Sequence, residues 1–385
     1  MLKFGYKNNG KKLVFKLFGV GNGGINTIET VIERRLEGLE LIAVDTDTGS
    51  LESSSAHRKI QIGGSLTSGR GTGGTFSTGR EAAENSYKEF FEASSNADVI
   101  FITSGFGGGT GSGATPVIAR AAKETGSLVV VLITKPFSFE GKNRLQQASE
   151  GVMKLGDNVD SLIIIPNDRL LDIMTEDTSF LDAFKITNEV VSEVVSALYL
   201  IVTRPSLIKL DFADVRSVLK DGGECMLGFG DATGRDKALR AVEMALASPL
   251  MDKQRLMNSK NVLVSMIGGK DLGLFEVNSS LKSLQQMTNF DANSVLGVSI
   301  DENFNERVRV TVLAGGTVAE KSESDSLKSR QAKTSEEQQQ LDILPPPRGR
   351  FDKADPTIID GEELDIPTFI RKSKKNWFKK VMARE

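Results

Sequence analysis

The chain holds one cysteine, Cys225, and one histidine, His57, among its 385 residues. A lone cysteine excludes an internal disulfide, and single copies leave no Cys/His metal cluster and argue against Cys–His or Ser–His nucleophilic chemistry. His57 sits in the polar stretch "SSSAHRK" and reads as a solvated loop residue; Cys225, in "GECMLGFG", reads as a small core residue. The formal net charge is only -3, so no overall basic field recruits nucleic acid. No apolar run approaches the ~18 to 20 residues that cross a bilayer. The basic N-terminus, "MLKFGYKNNGKK", lacks the long apolar core of a signal peptide, and the expectation is a cytoplasmic protein.

What is present is an ordinary balance of 39% hydrophobic and 26% charged residues, enough to fill the cores of two or three domains. Short β-branched runs alternate with amphipathic stretches through the first half. "LVFKLFGV", "LELIAVDTD", "ADVIFITSG", "GSLVVVLITKPF" and "SLIIIPND" read as strands, while "GREAAENSYKEFFEAS" and "GKNRLQQASEGVMKL" carry helical patterns. Such alternation predicts a mostly parallel sheet covered by helices on both faces, with ligands outside the carboxyl ends of the strands. The run "TSFLDAFKITNEVVSEVVSALYLIVT", stopped by Pro205, reads as one long, largely buried helix. Beyond it, "GRDKALRAVEMALASPL" and "LFEVNSSLKSLQQM" read as helices and "NVLVSMIGG", "ANSVLGVSID" and "RVRVTVLAGG" as strands of a second α/β or α+β domain. The expected organisation is a flexible arm (1–12), a first domain (13–177), a connecting helix (178–204), a second domain (205–316), a disordered linker (317–363) and a terminal peptide (364–385). The linker reading follows from its Ser, Gln, Pro and charge content, which cannot build a core.

Six glycines crowd the nine residues from Gly105 to Gly113, in "GFGGGTGSG". Glycine loses more backbone entropy on folding than any other residue, so this density needs a cause. The loop follows a strand and opens onto a helix read as "ATPVIARAAKETG", with Pro116 suited to its first turn. A glycine loop feeding a helix N-terminus is an anion site, because free N–H groups and the positive dipole end point the same way. No lysine lies inside it, so it is not a P-loop. A second turn of this kind, "GVGNGGINT", spans Gly19 to Thr27, and a third loop, "GGSLTSGRGTGGTFSTGR", adds Gly, Ser and Thr that could close over a ligand. By itself the Gly19 turn also fits a dinucleotide-binding oxidoreductase, but that reading has no proton donor behind it and leaves the Gly105 loop unexplained.

"GFGGGTGSG" resembles the signature loop of the tubulin/FtsZ superfamily of polymerising GTPases, in its bacterial form. The similarity continues in order through "TKPFSFEGKNR", "IPNDRLL", "LDFADVRSVL" and "RVTVLAGG", and covers roughly Leu13 to Gly316. The resemblance implies a Rossmann-like GTPase domain, a long central helix, an α/β activation domain and a disordered tail. It implies GTP and GDP as ligands, with Mg2+ carried by the nucleotide and no separate metal site. Asn22, Gly23, Gly24, Ile25 and Asn26, with Gly109, Thr110 and Gly111, would hold phosphates; Glu140 and Arg144 would lie near ribose and phosphates; Asn188 would read the guanine. Read from the residues alone, Glu140 and Arg144 equally fit an i, i+4 surface ion pair, and Asn188 a core amide.

Asp211 and Asp214, three apart in "KLDFADVRSV", fit ordinary helix capping. By the resemblance they are catalytic: this segment matches a loop that enters the next subunit's nucleotide pocket and polarises a water there. The resemblance further implies head-to-tail filaments of the bacterial division ring, placed at mid-cell on the inner face of the membrane. Three departures bear on hydrolysis. Lys209 and Asp45 each stand where the family usually has Asn, and "GGTFSTG" replaces a usual Ala-Asn-Pro-Glu stretch. They leave open a co-assembling regulatory paralogue with weak GTPase activity. "LDIPTFIRK", within it Asp365 to Arg371, resembles the family's peptide for membrane-tethering division proteins. The following "SKKNWFKKVMARE" adds four lysines around Trp377 and Phe378, which with Lys372 fit either an acidic partner or an anionic membrane.

Overall fold

The computed structural model describes residues 7–8, 11–203, 207–208, 211–220, 222–287, 293–316, 358–359 and 362–363. Residues Met1–Val318 form one compact unit and Ala319–Glu385 another. In the second unit the described residues are one short antiparallel pairing, Ile358–Ile359 with Glu362–Glu363. The linker and terminal-peptide expectations otherwise lie outside the described residues, as does most of the arm, where Lys7–Asn8 pairs with Lys11–Lys12.

The first half lays down β1 (Phe15–Val20), α1 (Gly21–Glu33), β2 (Leu39–Asp45), β3 (Arg58–Gln61), α2 (Phe76–Asn85), α3 (Tyr87–Ser94), β4 (Val99–Gly105), α4 (Gly109–Glu124), β5 (Leu128–Lys135), α5 (Lys142–Leu155) and β6 (Ser161–Pro166). The long helix α6 (Phe180–Thr203) follows, then α7 (Phe212–Lys220), β7 (Gly223–Thr233), α8 (Lys237–Leu246), β8 (Asn261–Gly268), α9 (Leu274–Met287), β9 (Asn293–Ile300) and β10 (Arg307–Gly315). One ten-stranded sheet runs in the order β9-β8-β10-β7-β6-β5-β4-β1-β2-β3. From β3 to β7 every neighbour is parallel. Only β10 runs against its neighbours β7 and β8.

Both faces of the parallel part are buried, which is why its strands read as nearly continuous apolar runs. In β1, Phe15 and Leu17 face α1 and α6, whereas Phe18 and Val20 face the α2–α5 side; all four are at most 2% exposed. Burial of each such side chain contributes about 1.5–3 kcal/mol. A third cluster joins α8 and α9 to β7, β8 and β10.

Three expectations change. Helix α4 begins at Gly109, not after Gly113, so Pro116 lies in the helix interior and not in the first turn. The strand β7 was hidden by Gly228 and Gly230, because α8 rests directly on it. A Cβ on Gly228 would lie 2.1 Å from the Ala245 carbonyl oxygen, and one on Gly230 1.8 Å from that of Ala241. Helix α6, at 24 residues and mean hydropathy 1.4, does reach the length and composition of a membrane span. Val191, Val194, Val195 and Leu198 nevertheless place it in the core, at most 1% exposed.

Candidate functional site

The order β3-β2-β1 turns back at β4, so β1 and β4 flank the topological switch point where open α/β sheets bind ligands. β1 runs straight into α1, and β4 reaches α4 through Phe106–Gly108. Neither helix start has a side-chain cap or an acidic residue in its first turn. Their first N–H groups therefore keep their donor capacity at two positive dipole ends. The turns meet backbone to backbone: a Cβ on Gly21 would lie 3.2 Å from the Gly111 nitrogen, and one on Gly23 3.2 Å from the Gly105 Cα. The Ser104 hydroxyl, donating to the Val20 carbonyl at 3.0 Å, ties the strand ends together.

The same geometry divides the glycine run. A Cβ on Gly111 would strike the Gly105 carbonyl at 2.3 Å and one on Gly113 that of Phe76 at 2.5 Å, so these glycines let α4 pack against β4 and α2. At Gly108 nothing lies within 4 Å, and open space begins.

That space is a cleft of about 510 Å³. Asn22, Gly23 and Asn26 line it, as do Gly109, Thr110, Gly111, Glu140, Arg144 and Asn188. Gly24 and Ile25 do not: Gly24 is packed 2.5 Å (as a virtual Cβ) from the Thr103 carbonyl, and Ile25 is a core residue at 3% exposure. The third loop contributes Gly71 to Gly74. Glu140 and Arg144 form the ion pair expected of their spacing, and Glu140 also accepts the Phe137 amide at 2.9 Å.

Several lining residues escaped the sequence reading. Thr103 and Ser104 end β4, Thr134 ends β5 and Asn167 follows β6, so position at a carboxyl strand end was the available signal. Asn167 is 4% exposed, and its Oδ1 has no hydrogen-bond partner. Such a buried acceptor costs free energy unless a ligand donates to it. Phe184, edge-on to Phe137 at 5.6 Å between centroids, gives the cleft an aromatic wall.

Asp45 ends β2 and lines the cleft at 3% exposure. Its Oδ1 accepts the amides of Thr46 at 2.7 Å and Asp47 at 3.2 Å. Burial pushes its carboxyl above the usual range, against the pull of those two amides. Asp47 also lines the cleft while accepting the Ser50 amide at 2.9 Å. The Thr46 and Thr110 hydroxyls pair at 2.8 Å beside it.

Asp211 and Asp214 do not line the cleft. They bracket the start of α7, whose later residues reach the amino ends of β5 and β6: Arg216 donates to the Gly126 carbonyl at 3.4 Å, and the Ser161 hydroxyl to that of Leu219 at 2.6 Å. The cleft sits at the opposite, carboxyl ends of those strands, and β5 alone is about 25 Å long. Lys209 lies outside the described residues. His57 is exposed as expected, though its Nδ1 accepts the Leu41 amide at 3.0 Å; Cys225 is buried, and its thiol is pushed up to about 11 by burial.

Comparison with known proteins gives the arrangement a lineage. The family model "Tubulin/FtsZ family, GTPase domain" matches residues 14–175, and "FtsZ family, C-terminal domain" matches 223–318. The cell division protein FtsZ of Buchnera aphidicola subsp. Schizaphis graminum is 39% identical over 378 residues, covering 93% of this chain and 96% of that protein. A structure of the FtsZ dimer of M. jannaschii shares 37% identity at a TM-score of 0.74, over 80% of this chain and 89% of that one. CetZ2 of Haloferax volcanii, at 23% identity and a TM-score of 0.70 over 84% and 100% of the two chains, shares the fold. With both family models and a relative aligned along nearly its whole length, the chain belongs to the FtsZ branch of the tubulin/FtsZ family of GTPases.

Proposed function

We propose that the chain binds GTP in the cleft at the β1–β4 switch point and hydrolyses it to GDP and phosphate within head-to-tail filaments of a bacterial division ring. The observation that carries the nucleotide reading is the pair of uncapped helix starts, α1 and α4, converging on one cleft. Their amides, from Asn22 to Asn26 and Gly109 to Gly111, receive phosphate oxygens, each charge-assisted bond contributing ~1.5–3 kcal/mol. Gly24 and Ile25 serve through backbone position only. Glu140 accepts from ribose hydroxyls while Arg144 supplies positive charge at the rim. Asn188 and the unpartnered Asn167 read the base, with Phe184 against its face.

Asp45 and Asp47 supply oxygens of the kind Mg2+ takes, but no group of three metal-ligating side chains occurs among the described residues. Mg2+ thus arrives with the nucleotide, where it neutralises phosphate charge. Asp211 and Asp214 of one subunit orient and polarise the attacking water in the cleft of the next. Their position away from their own cleft supports this reading, as does the dimer reported for the M. jannaschii relative. A heterologous contact that does not close yields a filament.

The ring reading places the chain in the cytoplasm at mid-cell. There Asp365 to Arg371 engages a membrane-tethering division protein, with the basic tail offering a second contact to anionic membrane. A second reading, a co-assembling chain with weak turnover, is favoured by the extra carboxylate of Asp45 in the cleft. Competition binding of GTP, GDP and ATP in Mg2+, with the chain and its Asn188→Ala variant, tests the base assignment. Guanine preference that shrinks in the variant supports it; equal affinity for ATP overturns it.

A further inference from the structure

The charges lining the cleft do not suit a bare polyanion. Three carboxylates line it, Asp45, Asp47 and Glu140, against one guanidinium, Arg144. Arg144 is already paired with Glu140, and no lysine lines the cleft among the described residues. What remains positive is two helix starts, each equivalent to roughly half an elementary charge. A nucleoside triphosphate brings several negative charges into this space.

The two carboxylates near the helix starts differ in what they are already doing. Asp47 is half-buried and caps the short helix Thr48–Ser53 through the Ser50 amide. Asp45 is more than nine-tenths buried and lines the cleft, and both amides it accepts go to Oδ1, so no backbone donor occupies Oδ2. The charge acting on it is the Asp47 carboxylate, and its side-chain donors are two hydroxyls, those of Thr110 and, at 3.5 Å, Thr46. A buried, like-charged carboxylate beside incoming phosphate repels it strongly, because few water dipoles screen the pair. A hard divalent cation reverses the sign of that interaction, since it takes oxygen ligands from carboxylate and phosphate alike.

We propose that Asp45 makes the cleft select the nucleotide as its divalent-cation complex and reject the metal-free nucleotide. The inference rests on the guanine-nucleotide reading above and assigns the cation dependence of binding to one residue. Asp45 acts before any chemistry, on the diphosphate as on the triphosphate, so its effect is visible without turnover.

The test is equilibrium binding of GDP, by calorimetry or a fluorescent analogue, in Mg2+ and in excess chelator, for the chain and for Asp45→Asn. Asparagine keeps Oδ1 for the two amides and removes the charge. The expected result is that chelation weakens binding to the chain by ~100-fold or more and to Asp45→Asn by less than ~10-fold. Wild-type binding that loses less than ~10-fold on chelation overturns the proposal, and this arm stands even if the variant fails to fold. A folded Asp45→Asn that loses as much as the wild type overturns it too. Absence of GDP binding in Mg2+ defeats instead the nucleotide reading on which the proposal rests.

Discussion

Asp211 and Asp214 hold each other's backbone: the Asp214 amide donates to the Asp211 carboxylate at 3.0 Å, and the Asp211 amide to the Asp214 carboxylate at 3.1 Å. This reciprocal cap fixes the start of α7 and presents two carboxylates at one solvent-facing turn. The same geometry that caps the helix would serve the catalytic role proposed for the pair. Asp214→Ala is expected to keep nucleotide binding and sedimentable polymer, cost about 1 kcal/mol of stability, and lower turnover by ~100-fold or more. Parent-rate turnover in folded, polymerised Asp214→Ala would sink the composite site. Asp211→Ala is expected to behave alike with a larger loss of thermal stability.

Gly79 on α2 faces the first residue of α4, where an added Cβ would lie 2.1 Å from the Gly109 carbonyl oxygen. Backbone meets backbone here, so no side chain can move aside. Gly79→Ala is expected to cost about 1–3 kcal/mol by overpacking and to weaken nucleotide binding by shifting Gly109. A melting curve and a binding titration check both; unchanged affinity with a lowered Tm would separate the packing role from the proposed phosphate site.

An ionic chain runs from Arg34, just after α1, to Glu193 on α6, then to Arg309 on β10 and Asp231 on β7. Burial works to raise the Asp231 carboxyl, but hydrogen bonds from Arg307 and Arg309 outweigh it and hold it below the usual range. A depressed folded-state value means that the ionised form stabilises the fold. The contribution is fully present above the unfolded value near ~3.9 and is lost as pH falls through the folded one. Asp231→Asn is expected to lower Tm by a few degrees, about 2 °C or more, at pH 7, with the deficit shrinking below pH ~4. A deficit that stays constant with pH would assign the loss to packing.

Cys225 is buried under Gly222 and Gly315, a Cβ on Gly315 lying 2.5 Å from its sulfur. With the thiol pushed up to about 11, little thiolate exists near neutrality. A thiol reagent at pH 8 is expected to modify the native chain only at the rate of unfolding and the denatured chain at once. Fast labelling of the native chain would contradict that burial.

Much of this was legible from local pattern. The strands β1, β2, β4, β5 and β6 announce themselves as apolar runs because helices cover both their faces. β3, "RKIQ", holds a single apolar residue, Ile60, at the sheet edge and carries no such signal. β7 was masked by glycines whose reason is tertiary, the approach of α8. In the site, the turn after β1 and the loop after β4 could be read because glycine and helix starts are sequential features. Asn167 and Phe184 could not, since each comes from a different element and becomes a cleft residue only when the sheet brings the carboxyl strand ends together.

The proposed sharing of the active site between subunits is tested most directly by GTP turnover per chain measured across protein concentrations, with sedimentation of the same samples. The account predicts negligible turnover below a threshold concentration, and turnover rising together with pelletable polymer above it. Turnover per chain that is constant through dilution, without polymer, would contradict it.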